Sequence, residues 1–351
     1  MVSETARNRD ALKVLFLTPW YPSEKDAMSG LFVQKHVEAV RAQGCDVRVI
    51  HSQSLWDSIR QWLKLQKEGW TPDIVQLNVI QKQGLLAEAL DIPYIVVEHW
   101  SGYLPENGQF MRMSRFKRDM YRHIARHAAM ILTVSNRQAQ AMKGCGFRND
   151  HWGLIDNVVD DFFYKEGIKS QESGIKILLH ISCFDEKAKN VKGLLRAAKR
   201  LSEKRQDWQL VLVGTGVDYN DVRAYAEALS IPDKLLRWTG ELTPREVSDE
   251  FDKADVFVLP SHYENAPVVI SESLAKGVPI VATRVGGIPE MVYEECGVLV
   301  TPGNEEELFS ALDTMLDHYK EYDRDAIREY GRSYSFSAVG KKLMEIYMQV
   351  V

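Results

Sequence analysis

Cysteine is scarce in this 351-residue chain: Cys45, Cys145, Cys183 and Cys296 are widely scattered and form no CxxC pair. That spacing excludes a disulfide framework, argues against a structural zinc site and suits the reduced thiols of a cytosol. Long apolar runs are also missing. None approaches the ~18 residues needed to span a bilayer, and the opening MVSETARNRDALK lacks the apolar segment of a signal peptide, so a cytoplasmic protein is expected. Nor is there an excess of positive charge. With 44 basic and 49 acidic residues the net is −5, so the chain is not built to coat nucleic acid. What remains is an ordinary globular mixture, 45% hydrophobic and 26% charged. At roughly 150 residues per domain the length implies two domains.

Short apolar runs alternate with amphipathic stretches throughout. In the first half the runs are KVLFLT, DVRVIHS, DIVQLNV, YIVVEH, MILTVS and HWGLIDN. They are continuous rather than strictly alternating, as in strands covered on both faces. Helix-like segments separate them, such as GLFVQKHVEAVRAQG from Gly30, closed by Gly44. A polar stretch without period, VVDDFFYKEGIKSQESG, then interrupts the rhythm, which restarts with KILLHIS, WQLVLVG, LLRWTG, VFVLP, PIVATRV and GVLVTP. The expectation is an α/β protein of two doubly wound, Rossmann-like domains facing across a cleft, residues 1–165 and 166–335. A C-terminal helix, 336–351, is expected to pack back across them.

Charge is unevenly shared. Residues 1–170 hold 22 basic and 19 acidic side chains, and the remainder 22 and 30. Arg115, Arg118, Arg122 and Arg126 fall on one face of a helical stretch, beside an apolar stripe of Met113, Phe116, Met120 and Ile124. Such a face is usually just solvated. In an acidic protein it also suits peripheral contact with an anionic membrane, or with a lipid-linked pyrophosphate.

Ligands of open parallel sheets bind beyond the carboxyl ends of the strands, so site residues should follow strands. Glu264 follows VFVLP. Glu272 lies eight positions later in a helix that begins near Pro267, with Gly286 and Gly287 after the next strand. The unpaired amides of such a helix start favour phosphate, and a carboxylate on the same helix can accept from two ribose hydroxyls. Gly30, after the first strand, allows close backbone approach to a ligand's phosphates, or is simply a helix-start glycine. Gly214-Thr215-Gly216 lacks the third glycine of a nicotinamide fingerprint, Tyr219 standing there. Asp323-Arg324-Asp325 imitates a metal-binding D-x-D but lies in a helical segment away from any strand edge.

The E-x7-E with GVPIVATRVGGIPE resembles the donor-site signature of the retaining glycosyltransferases of family 4, which have the GT-B fold. TPWYPSEKDAMSGLFVQKHVEAVRAQGCDVRVI, TPDIVQLNV, IPYIVVEHW, ILTVSN and IDNVVDDFF are similar to family segments in the same order, so the likeness runs from about Lys13 to Pro302. The resemblance implies that Glu272 holds the donor ribose and that Glu264 lies near the transferred sugar and phosphates. It also implies that Lys189 binds the diphosphate and that His99 lies near donor sugar and acceptor. Asn265, Ala266 and Pro267 replace the family's usual G-F-G, and Pro267 has no N–H. The cradle is therefore assigned to other amides, those of Val268 and Val269. Asn190 stands for the glycine of the family's K-G, while Lys192-Gly193 has the wrong spacing. Cys183 stands where the family places a second diphosphate cation, an arginine; Lys187 supplies it only if its loop folds inward.

The resemblance thus implies a retaining transferase that moves a sugar from a nucleotide-diphosphate sugar to a glycan, lipid-linked or polysaccharide-precursor acceptor. No cofactor and no metal are implied, since helix dipoles and cations neutralise the leaving diphosphate. Two alternatives stand beside it. One is a non-catalytic transferase-like binding subunit, favoured by Cys183; the other is a nucleotide-sugar epimerase on the same fold.

Overall fold

The computed structural model describes residues 11–24, 29–165 and 174–351. The chain divides into two compact units. One comprises residues 1–134, 139–158 and 336–351; the other comprises 135–138 and 159–335.

The first unit is built on a six-stranded parallel sheet: β1 (Lys13–Thr18), β2 (Asp46–His51), β3 (Ile74–Asn78), β4 (Tyr94–Glu98), β5 (Met130–Thr133) and β6 (Trp152–Leu154). Their spatial order is β2-β1-β3-β4-β5-β6. The second unit carries β7 (Lys176–Ile181), β8 (Trp208–Val213), β9 (Leu236–Gly240), β10 (Val256–Leu259), β11 (Ile280–Thr283) and β12 (Gly297–Val300). These are ordered β12-β11-β10-β7-β8-β9, again all parallel. Counted within the unit, that is the Rossmann order, whose direction of winding reverses between β7 and β10. All twelve apolar runs of the sequence are strands. The central ones, such as Val256–Leu259 and Ile280–Thr283, are buried at every position, which is why they show no alternation.

The helix Leu31–Ala42 starts from Gly30 in the left-handed region, φ 68°, and buries Val33, Val37 and Val40 along one stripe. Gly44, at φ 88°, lets the chain turn away beyond its end. The C-terminal helix Phe336–Val350 lies against it, burying Val339, Leu343, Ile346 and Tyr347. Gly340 permits the approach: a Cβ there would sit 2.6 Å from the carbonyl oxygen of Ala39. The Tyr347 hydroxyl donates to Gln76 Oε1 inside the sheet's core. Each of those apolar side chains contributes about 1.5–3 kcal/mol by leaving water.

The tail packs within the first unit, its apolar stripe against the Leu31–Ala42 helix. The chain also passes into the second unit at Val159, ahead of the expected boundary at 165/166. There Val159 N–H donates to Tyr334 O at 2.9 Å and Phe163 joins the second unit's core. Residues 166–173, the rest of the stretch read as a linker, lie outside the described residues.

Candidate functional site

In the second unit the sequence-selected residues converge on the winding reversal. His180, near the end of β7, accepts or donates at both ring nitrogens, Nδ1 to Val258 O of β10 and Nε2 to Ser182 Oγ, each at 2.9 Å. It pins the two strands together. Burial, together with the nearby Lys189 charge, lowers its pKa to about 4 against the pull of the Val258 carbonyl, so the ring stays neutral. After β7 the chain makes one short helical turn, Glu186–Lys189, ending on Asn190 in the left-handed region at φ 52°. Asparagine tolerates that conformation, which explains why it can occupy a glycine's place. Its Nδ2 donates to Pro260 O at 3.2 Å, tying the turn to the loop after β10.

This arrangement brings Lys189 to Glu264. Nζ lies 2.5 Å from Oε1, and the same oxygen accepts from Ser261 Oγ at 2.7 Å. Glu264 is 7% exposed, so the pair is nearly dry. Burial opposes the ammonium charge, yet the attraction and hydrogen bond of Glu264 outweigh it and raise the lysine's pKa above its usual value. Oε2 of Glu264 has no partner among the described residues and remains able to accept from a hydroxyl.

The two glycines after β11 hold the Glu264 loop. Gly286 adopts φ 54°, and a Cβ there would meet the Glu264 carbonyl oxygen at 1.8 Å. Gly287 N–H donates to Asn265 O at 2.7 Å. The glycine pair and the first glutamate of E-x7-E are therefore one structural device, joined by backbone contact.

The helix carrying Glu272 runs Val268–Ala275, with Pro267 as its N-cap. Proline before the first turn costs nothing here because that N–H would be unpaired anyway. Ile270 N–H returns to Pro267 O at 3.0 Å, whereas the amides of Val268 and Val269 have no acceptor among the described residues. Glu272 is buried, on the second turn. Asn265 and Ala266 lie in the half-buried loop between Glu264 and this helix.

Around this cluster, Cys183 is exposed on the loop after β7, and so is Lys187, pointing out rather than inward. Lys192 pairs with Asp221 at 2.5 Å on the outer side, and a Cβ on Gly193 would strike Asn190 Oδ1 at 2.4 Å. That accounts for the apparent K-G as local packing. Asp323 proves to be a helix cap, its Oδ1 accepting from the amides of Asp325 and Ala326 at 3.0 and 3.1 Å.

In the first unit His99 follows β4, packed between Phe32 and His36 at ring-centroid distances of 4.3 and 5.4 Å. Burial and the neighbouring His36 hold its pKa well below the ordinary histidine value. The preceding residue, Glu98, was not singled out from the sequence. Its Oε1 accepts from the amides of His99 and Trp100, at 3.0 and 2.9 Å; its Oε2 accepts from Ile80 N–H and the Tyr103 hydroxyl, each at 3.0 Å. Burial raises its pKa to about 7 while these four donors pull the other way. A fully buried glutamate at a strand end was the available signal, visible in YIVVEH as one charge closing an apolar run. Gly30 serves the helix start: a Cβ would lie 2.4 Å from the Trp20 carbonyl.

The basic helix, Arg115–His127, departs from expectation. Phe116 is 81% exposed instead of lying in the apolar stripe. The buried face is centred on Tyr121, Ile124 and Ala125, and at about 100° per residue Phe116 sits ~140° from Tyr121. Arg122 turns back to the carbonyl of Cys145, at 2.9 and 2.7 Å, and to Asp119 at 2.9 Å. Arg115 pairs loosely with Asp119 at 3.8 Å, Arg118 reaches Met111 Sδ at 3.8 Å, and Arg126 is exposed.

Comparison with known proteins bears on the family and the fold. The profile of the Glycosyl transferases group 1 family matches residues 165–334, and that of Glycosyltransferase Family 4 matches residues 4–161. The chain belongs to the family 4 glycosyltransferases. A glycosyltransferase of Haemophilus influenzae, otherwise uncharacterised, is 32% identical over 133 residues, covering 37% of this chain but only 36% of that protein. The alpha-D-kanosaminyltransferase of Streptomyces kanamyceticus is 24% identical over 283 residues, 76% of this chain and 73% of its own. Among solved structures, sucrose-phosphate synthase from Thermosynechococcus elongatus superposes with a TM-score of 0.77 at 16% identity, covering 96% of this chain and 98% of that one. HepE of Anabaena, solved with UDP-glucose, gives 0.72 at 17% identity, covering 96% and 100%. The fold of this glycosyltransferase is therefore GT-B, built from two Rossmann-like units. No helix among its described residues is long and apolar enough to cross a membrane.

Proposed function

We propose that the protein transfers a sugar from a nucleotide-diphosphate sugar to a glycan or lipid-linked acceptor bound by the first unit, with retention at the anomeric carbon. The observation that carries this reading is the Lys189–Glu264 pair at the winding reversal of the second sheet, next to the open amides of the Glu272 helix. Lys189 and the amides of Val268 and Val269 take the diphosphate. Glu272 accepts from the ribose hydroxyls, and Glu264 and His99 serve the sugar. The bond from the anomeric carbon to the diphosphate breaks as the acceptor oxygen bonds on the same face, and the acceptor's proton passes to the departing diphosphate oxygen. The protein's part is positioning and charge stabilisation, with neither metal nor cofactor.

HepE was solved in complex with UDP-glucose, which makes uridine the first base to try. Thermal unfolding against UDP, GDP, ADP, CMP and their sugar conjugates, without metal, tests the donor site. A nucleotide at 100 times its Kd adds ~2.7 kcal/mol, so one nucleotide class should raise Tm clearly. Losing a charge-assisted hydrogen bond costs ~1.5–3 kcal/mol, so Glu272→Ala should lower kcat/KM by roughly 10- to 150-fold; an unchanged value removes its assignment. Exposed Cys183 favours a second reading, a nucleotide-binding subunit without turnover. Nucleotide binding with no transfer to any acceptor, and transfer gained in Cys183→Arg, would support it.

A further inference from the structure

His123 and His127 stand one turn apart on the Arg115–His127 helix, and Glu88 meets them from the helix Gly84–Ala89. Glu88 Oε1 lies 3.1 Å from His123 Nε2 and 3.2 Å from His127 Nδ1, and all three atoms fall within 4.8 Å of one another. Metal–nitrogen and metal–oxygen bonds of about 2.0–2.1 Å in tetrahedral geometry place neighbouring donors about 3.3 Å apart, close to the two distances from Glu88 Oε1 to the histidines. We propose that Glu88, His123 and His127 form a binding site for a first-row divalent cation, zinc above all, that clamps the two helices together.

The donor set is right for that metal: two imidazoles and one carboxylate, with a fourth position left to solvent. The side chains are accessible, His123 at 51%, His127 at 46% and Glu88 at 32% exposure, so a cation can enter without opening the core. Arg122, Arg126 and Arg148, which line the same hollow as the histidines, oppose a further positive charge; Asp119 beside them and the Glu88 carboxylate offset part of it. Both helices run on toward strands, the first to β4 and the second to β5. The cluster therefore lies at the amino-terminal edge of the sheet, opposite the edge where this fold class binds its ligands. The clamp is independent of the proposed transfer chemistry, and its metal takes no part in it.

The test uses the full chain without a polyhistidine tag, stripped with a chelator and titrated with Zn2+ against a chromophoric chelator. One zinc per chain should bind, with a rise in Tm. Outer partners of a metal ligand alone are worth about 10- to 100-fold in affinity, so His123→Ala, His127→Ala and Glu88→Gln should each weaken binding by at least roughly tenfold. Because the three side chains are accessible, the zinc-free variants should keep the parent Tm. His151→Ala, an exposed histidine elsewhere, should leave zinc binding intact. No stoichiometric zinc, or zinc that survives both histidine substitutions or is lost in Cys183→Ser, overturns the proposal.

Discussion

Four donors converge on the Glu98 carboxylate, two on each oxygen. Replacing one oxygen by an amide NH2 sets a donor against two donors in a buried space. Each buried group left unsatisfied costs ~1–3 kcal/mol, so Glu98→Gln should destabilise the first unit by about 2–4 kcal/mol. The midpoint of denaturant unfolding reads this directly, and an unmoved midpoint would show that the network relaxes around the amide. The same carboxylate fixes the backbone of His99, so its contribution to the site is positioning. Gly286 makes a parallel point. Its left-handed φ and the Glu264 carbonyl against it mean that any side chain there displaces the loop that carries Glu264.

Among the elements, the Arg115–His127 helix raises the clearest question of partner. Its exposed Phe116 and the neighbouring exposed Met111 stand among Arg112, Arg115 and Lys117, an apolar tip in a basic surround. That combination suits an anionic membrane surface, with each cation near the surface worth about 1 kcal/mol. Sedimentation with anionic liposomes at low salt should therefore carry the protein down. The double variant Phe116→Ser with Arg115→Glu should weaken this severalfold. Arg122 is a poor choice for that experiment, since it holds the Cys145 carbonyl and its loss would loosen the fold locally. Failure of the parent protein to sediment would end the membrane reading.

For the whole molecule, buried histidines set the response to acid. His36, His99 and His180 all have lowered pKa values, chiefly through burial. Between pH 6.5 and about 4 the unfolded chain takes up a proton that folded His180 refuses, so stability falls as pH falls. From 6.5 to about 4, that one group accounts for about 3 kcal/mol. Glu98 works the other way, because its raised pKa lets the folded state hold a proton that the unfolded chain releases between pH 4.5 and about 7. Three histidines against one carboxyl leave a net loss on acidification. Tm should drop from pH 7 to pH 4.5; a rise would mean that Glu98 outweighs the histidines.

Much of this architecture was legible along the chain because parallel strands covered on both faces are continuous apolar runs, and all twelve announced themselves so. E-x7-E and the paired glycines were legible for a related reason: a strand, a tight loop and a helix start are local events with local residue demands. Other features had no local trace. Nothing around Phe116 in sequence distinguishes it from Met120; the angle of the helix against the sheet decided which side met the core. The union of Lys189 with Glu264, of Gly286 with the Glu264 carbonyl, and of Glu88 with His123 and His127 joins segments 75, 22 and 35 residues apart. Such contacts depend on strand order, and strand order comes from packing helices onto both faces of each sheet. The amino-acid pattern by itself determined the elements and their class; only the tertiary structure decided which charges became neighbours.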